Sequence, residues 1–213
     1  MTVAPAPALA GLPGNDDLAF NGTAQTYTVK PSKAEVLRLT GGGYRQAGSV
    51  WSTERIDVTE SFETTFEVYL HSGVRGADGL AFVVQSVGPR ALGGWGGGLG
   101  YRGIRPSVAV EFDDYHNVGD PAGDHVAVSL RGNPDFNTAY ATVQKPLFKR
   151  PFTVRVAYDA PLNGLLVDLD GQPALNATVD LAAELGTGRA WIGFTGSTGH
   201  VTSKQDIRSW RLP

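Results

Sequence analysis

Glu111, Asp113, Asp120 and His125 are the residues whose types and spacing point most directly to chemistry in this chain of 213 residues. With Tyr115 and Asn117 they lie within Val108-Ala-Val-Glu-Phe-Asp-Asp-Tyr-His-Asn-Val-Gly-Asp-Pro-Ala-Gly-Asp-His125. Carboxylate, amide and backbone oxygens suit a hard cation such as calcium, Ca2+. Adding the imidazole gives a mixed nitrogen and oxygen set, which suits a transition metal such as manganese, Mn2+. A single ion would not need two bridging aspartates, so the set reads as two ions lying close together. The bland alternative is a solvated acidic loop after an ordinary strand. Carboxylates buried side by side would repel one another unless a cation neutralised them, which favours the metal. An EF-hand reading of Asp113 to Asn117 fails, because the required glycine and terminal glutamate are missing.

Positioning such a set takes a hairpin. Val108, Val110 and Phe112 alternate with Ala109, Glu111 and Asp113, the period of a strand with one face in a core. Asn117, Gly119, Asp120, Pro121 and Gly123 then crowd into a turn. Alternation resumes as His125, Ala127 and Ser129 against Val126, Val128 and Leu130. If the two strands pair, Glu111, Asp113 and His125 share a face, and Tyr115, Asn117 and Asp120 overhang its end.

The remainder of the chain reads as short strands. Phe62, Thr64, Phe66, Val68 and Leu70 alternate with polar residues. Leu80 to Val84 is apolar on both faces, as in a strand covered on both sides. Val154, Val156 and Tyr158 form a strand that turns at Asp159 to Gly164 and returns through Leu165, Val167 and Leu169. Only Asp180 to Leu185 reads as helix, with Asp180 as its cap. Residues 1–16 are small, Pro-rich and expected to be poorly ordered. That leaves one all-β domain over 17–213, an antiparallel β-sandwich.

Composition fits: 41% hydrophobic residues, 28 glycines and 13 prolines suit a single core of strands and turns. With 18 basic against 21 acidic residues and no basic run, nucleic acid and anionic membrane are excluded as expected partners. There are no cysteines, so disulfides play no part. Met1 to Ala10 lacks a basic n-region and has prolines in place of an apolar h-region, so it does not read as an intact signal peptide.

Val-Glu-Phe-Asp-x-Tyr-x-Asn, followed by Asp-Pro and His, resembles the metal-binding signature of the legume-type (L-type) lectins. Further matches follow the family's order. Gln46 to Trp51 and Phe62 to Val68 look like its early strands, and Ala77-Asp-Gly-Leu-Ala-Phe82 like its first sugar loop. Gly96-Gly-Gly-Leu-Gly100 looks like its second, and Trp191 to Gly199 with Asp206 to Trp210 like its closing strands. The resemblance runs from about Phe20 to Trp210.

It implies a legume lectin-like jelly roll and a calcium-dependent, non-catalytic carbohydrate-binding protein. Asp78 would follow a cis Ala77–Asp78 peptide and accept from two sugar hydroxyls. Gly97 or Gly98 would donate a backbone N–H. Asn117 would give its carbonyl to calcium and its amide hydrogen to the sugar; Tyr115 would give its backbone carbonyl to calcium and its ring to the sugar face. His200 and Val201 fall in the loop that tunes specificity, where a plain surface loop is the competing reading. Location is expected to be extracellular, secreted or at the cell surface, with a bacterial source; homo-oligomer formation is left open. This chain departs from the family pattern in the short Asn117-to-Asp120 spacing, in Asp114 where threonine is common, and in the bare Gly98.

Other readings compete. Gly98-Leu-Gly-Tyr-Arg-Gly103 satisfies G-x-G-x-x-G, but a strand follows where a nucleotide site needs a helix N-terminus. A β-sandwich glycosidase could use Glu111 and Asp113, yet the second catalytic acid is missing after them. A metal-stabilised adhesin or scaffold module that recognises protein is the third reading.

Overall fold

The computed structural model describes residues 11–73, 75–117 and 120–213. The expected turn glycine Gly119 and the first ten residues of the N-terminal segment lie outside them. Among the described residues the chain forms β1 (Leu18–Gly22), β2 (Gln25–Thr28), β3 (Glu35–Gly41), β4 (Ala47–Ser52) and β5 (Ile56–Asp57). It continues through β6 (Phe62–His71), β7 (Gly79–Gln85), β8 (Ser107–Asp113), β9 (His125–Leu130) and β10 (Asn137–Thr142). The last strands are β11 (Pro151–Asp159), β12 (Gly164–Leu169), β13 (Gln172–Thr178), β14 (Arg189–Ser197) and β15 (Lys204–Arg211).

They build two antiparallel sheets. One is eight-stranded, in the order β1-β4-β14-β7-β8-β9-β10 with β5 beside β14; the other runs β13-β12-β11-β6-β15-β3-β2. The inner faces meet in an aromatic core. Phe66 of β6 packs edge-on against Phe194 of β14 at 4.7 Å, and Phe194 against Trp210 of β15 at 4.8 Å. Each such ring, wholly buried, contributes on the order of 1.5–3 kcal/mol of hydrophobic free energy. This is the antiparallel sandwich expected from the alternating segments.

The doubly apolar β7 has a specific cause. Leu80, Phe82 and Val84 face the main core, whereas Ala81 and Val83 join Trp51, Ala91, Leu99, Tyr101, Ile104 and Ala109 in a second, smaller apolar cluster. That cluster lies under the loop between β7 and β8, which folds back over the outer face of the eight-stranded sheet. Hydroxyls from the sheet hold it down: Thr195 donates to the Leu99 carbonyl (2.8 Å) and Ser197 to that of Gly96 (2.7 Å). Gly100 adopts φ of 72°, and a Cβ there would stand 2.8 Å from the Gly196 carbonyl oxygen, so only glycine permits this approach.

The single α-helix among the described residues, α1 (Leu181–Leu185), starts where expected, with the Asp180 side chain accepting the Ala183 N–H at 2.9 Å. Part of the N-terminal segment is tied to the sandwich. The Gly11 carbonyl accepts from the Trp210 N–H, Leu12 packs against the core, and Asn15–Asp17 forms a 3-10 turn leading into β1.

Candidate functional site

β8 and β9 pair antiparallel with Asp113 opposite His125 and Glu111 opposite Ala127. Side chains alternate along a strand, so Glu111, Asp113 and His125 do share the outer face. All three are buried. The loop between the strands is shaped by its own carboxylates. Asp113 Oδ1 accepts the Tyr115 N–H (2.8 Å) and Asp120 Oδ2 accepts the Asn117 N–H (2.7 Å). His125 Nδ1 lies 3.3 Å from the Gly123 carbonyl. A carbonyl can only accept, so Nδ1 is the donor in that contact, and Nε2 is the ring nitrogen not engaged by it.

Glu111 is 1% exposed. It accepts a short hydrogen bond from the Tyr101 hydroxyl, and Asn137 Nδ2 lies 3.4 Å from its other oxygen. Burial pushes the Glu111 carboxyl up to about 7, against the pull of the Tyr101 hydroxyl. Burial likewise raises Asp113 well above the usual carboxylate range, with further upward pressure from Glu111, Asp120 and Asp114. Next to it, Asp114 is driven up to about 7 by burial and by Asp124, and neither of its carboxylate oxygens has a partner.

These groups fit divalent cations in chemical type, in burial and in uncompensated charge. They do not stand as a finished cage: among the described residues no three His, Asp or Glu side chains are grouped to hold an ion. Asp113 and Asp120 are instead turned onto backbone N–H groups of their own loop, and Glu111 onto Tyr101. Glu111, Asp113, Asp120 and His125, with Asn117 and the Tyr115 carbonyl, are the groups that would hold such ions.

A second set surrounds Asp78, which follows a cis Ala77–Asp78 peptide and is 4% exposed. Its N–H donates to the Ser197 carbonyl at 3.1 Å, while its Oδ2 is buried with no partner. Burial pushes this carboxyl up to about 6, against the pull of the nearby Gly199 backbone. Gly199 leaves room above it, since a Cβ there would sit 3.2 Å from Oδ2. Gly97 faces Asn117, because a Cβ on Gly97 would meet the Asn117 amide atoms at 3.3 Å. Backbone bonds knit these loops together: Gly96 N–H to the Thr198 carbonyl (3.1 Å) and Thr198 N–H to the Gln46 carbonyl (2.9 Å).

The expected sugar residues therefore divide. Asp78 lies against Gly199, which also approaches Gly96, and the neighbouring Gly97 lies against Asn117. Gly98 turns the other way: its N–H bonds the Trp95 carbonyl at 3.2 Å, and a Cβ on it would meet Arg102. His200 is exposed and bonds the Tyr44 hydroxyl (3.3 Å); Val201 supplies its carbonyl to the Gly199 N–H (3.2 Å). Tyr115 is half-buried beside Asp113. Linear spacing does not single out Tyr101, Asn137 or Tyr44 for a role here, because nothing in it ties them to Glu111 or His200.

Residues 14–210 match the legume lectin beta-barrel domain family. The chain belongs to the legume lectin family. A lectin from Onobrychis viciifolia is 30% identical over 93% of this chain and 90% of its own length. Lectin 1 of Medicago truncatula is 29% identical over 91% of this chain and 75% of its own length. Among solved structures, a Bauhinia forficata lectin in complex with GalNAc is 26% identical and superposes with a TM-score of 0.79, covering 95% of this chain and 94% of that one. The basic winged bean lectin with Tn-antigen shows the same fold at 23% identity, with a TM-score of 0.79 over 95% and 94% of the two chains. These relatives are plant lectins and lend no support to a bacterial source. They are carbohydrate-binding proteins without catalysis, so the legume lectin chain is not an enzyme, and the glycosidase reading of Glu111 and Asp113 falls.

Proposed function

We propose that this legume lectin chain is a calcium-dependent sugar-binding domain whose metal groups organise the sugar site before ligand arrives. The observation that carries the reading is the Asp78 carboxylate: buried, with one oxygen lacking any donor, and lying against Gly199, which in turn approaches Gly96. A buried acceptor without a partner costs on the order of 1–3 kcal/mol. A pair of sugar hydroxyls would remove that cost.

In this reading Glu111, Asp113, Asp120 and His125 hold a transition metal such as Mn2+, and Asp113, Asp120, Asn117 and the Tyr115 carbonyl hold Ca2+. When bound, the cations neutralise the buried carboxylates and fix the loop between β8 and β9. Asp78 accepts from two hydroxyls, Gly97 donates its N–H, and the Asn117 amide donates to a ring hydroxyl. The Tyr115 ring covers the sugar's C–H face. His200 and Val201 edge the pocket and set its preference. Because the loop is ordered in advance, less ordering cost falls on binding. Few contacts imply a monosaccharide Kd on the order of 0.1–1 mM, about −4 to −5.5 kcal/mol. Avidity would come from multivalent display, through homo-oligomers on a secreted or cell-surface protein.

Relatives crystallised with GalNAc and with galactose make those sugars the first ligands to try. The test is glycan binding with and without chelator: EDTA should abolish it and added calcium restore it. Asp78→Ala and Asn117→Ala should each lose binding while melting as folded proteins. Binding indifferent to chelator would refute the metal-dependent mechanism. A calcium-dependent melt with no response to any glycan would favour a protein-recognising module.

A further inference from the structure

Next to the Asp78 cradle lies a cluster that the proposed sugar contacts do not use. The Arg45 guanidinium stacks on two rings at once, 4.9 Å from the centroid of Tyr44 and 4.4 Å from that of Trp95. Both rings are large and open to solvent, at 54% and 47% exposed. The His200 ring meets Tyr44 edge-on at 5.0 Å and shares a hydrogen bond with its hydroxyl.

Two further features bear on Arg45. It adopts a left-handed backbone, φ 49°, at a residue with a full side chain. That conformation costs on the order of 1 kcal/mol and persists only where neighbours impose it. Here the Arg45 N–H donates to the Gly199 carbonyl at 3.2 Å. Gly199 is the residue whose missing Cβ opens the space over Asp78. The Arg45 backbone is thus tied to the residue that lies against the proposed sugar acceptor.

Arg45 is also without an acid. Arg38, Arg102, Arg131, Arg150, Arg155 and Arg208 each pair with a carboxylate; Arg45 is among the arginines that pair with none among the described residues. Stacking contributes about 0.5–1 kcal/mol at an exposed site and fixes the plane of the guanidinium. The fork of N–H groups then stays free for a planar or tetrahedral oxyanion. Exposed aromatic faces beside it suit the C–H surface of a pyranose ring.

We propose that Tyr44, Arg45, Trp95 and His200 form a second subsite that takes an acidic sugar residue, carrying a carboxylate or a sulfate ester, linked to the sugar held at Asp78. This rests on the lectin reading and narrows its ligand class. Selectivity must be local to Arg45, because the chain carries a net charge of −3 and Asp78 adds a carboxylate close by. Without the guanidinium, this surface disfavours anions.

The test compares three probes on the full chain in calcium by titration calorimetry. They are a neutral galactose-terminated disaccharide, the same disaccharide bearing a sulfate ester, and the same one extended by a uronic or sialic acid. One acidic probe should bind about tenfold tighter than the neutral one, a difference of about 1.4 kcal/mol. Which acid wins tells carboxylate from sulfate. The advantage should shrink as salt is raised from about 0.05 to 0.5 M, where screening shortens severalfold in range. Arg45→Gln should abolish or reverse the preference, Arg45→Lys should keep part of it, and Trp95→Ala should lower the affinity for all the extended probes. Equal binding of acidic and neutral probes by the native chain, or a preference that survives Arg45→Gln, overturns the subsite while leaving the lectin reading intact. Failure of every probe, neutral galactose included, overturns both.

Discussion

Replacing Gly199 with alanine should remove sugar binding and leave the fold untouched. Its φ lies outside the left-handed region, so alanine is not strained there. The new methyl carbon would stand 3.2 Å from Asp78 Oδ2, 3.7 Å from Oδ1 and 3.5 Å from the Gly96 Cα. A hydroxyl donating to that carboxylate needs its oxygen about 2.5–2.8 Å away. A methyl group already in contact with the same oxygen leaves no room for it on that side. Loss of one charge-assisted hydrogen bond removes about 1.5–3 kcal/mol, roughly a 10- to 150-fold weakening. From a Kd on the order of 0.1–1 mM, retention on a galactose or GalNAc matrix would disappear. Stability moves little, since glycine to alanine at a compatible φ gains about 0.4–1 kcal/mol from the unfolded chain and the close contact takes some of that back. A melting temperature within about 4 °C of native is the expected companion result. Unchanged affinity in a variant that melts normally would show that ligand does not approach Asp78 past Gly199.

Three other outcomes follow from the same geometry. Removing divalent ions should lower the melting temperature by about 5–11 °C, because ligand at a hundred times its Kd contributes about 2.7 kcal/mol and a domain of this size shifts by about 2–4 °C per kcal/mol; an EDTA melt that overlays the calcium melt contradicts the fit of Glu111, Asp113 and Asp120 to cations. Asp206→Asn breaks a bidentate bond with Arg38 (2.8 and 2.7 Å) and one with His71 (2.9 Å), leaving a buried guanidinium unpaired. The expected loss of about 3–5 kcal/mol should appear in urea unfolding as a lower midpoint, and a midpoint unchanged in the variant would sink this account. The same aspartate sets an acid limit: burial raises its pKa, but the bonds to Arg38 and His71 outweigh that and hold it below 3.8. Its stabilisation is therefore complete above 3.8 and lost as pH falls through the depressed folded value, so native protein should show an acid-dependent loss that Asp206→Asn lacks.

Much of this was legible in the chain. Alternation around Val110 and Phe112, broken by a crowd of turn residues and resumed at His125, specified a hairpin and the face its acids share. The isolated Asp180 before Leu-Ala-Ala-Glu-Leu specified the single helix and its cap. What periodicity gives is a face, and it does not give the partner across the sheet. Tyr101 lies 10 residues from Glu111 and Asp206 lies 168 from Arg38, and neither contact has a local signature. The choice between Gly97 and Gly98 was equally invisible, since bare glycines carry no pattern and only the 3-10 turn over Gly96–Gly98 decides which N–H is engaged. Arg45, Tyr44 and His200 meet because two loops cross, 156 residues apart in the chain.

The loop from Ala91 to Ile104 connects these findings physically. Its apolar residues Leu99, Tyr101 and Ile104 seal the outer face of the eight-stranded sheet, so its position is fixed by hydrophobic burial. Its glycines line the Asp78 cradle, its Trp95 carries one wall of the Arg45 cluster, and the Tyr101 hydroxyl reaches Glu111. One rigidly seated segment thus touches the proposed metal carboxylates and the proposed sugar groups without any ion having to contact the sugar. Coupling between cation and saccharide can then travel through the packing of Tyr101 and Leu99 against β4, β7 and β8. In the proposed arrangement the metals would set how well the site is formed, while the side chains standing on the loop edges, Arg45 and Trp95 foremost, would set which saccharide it prefers.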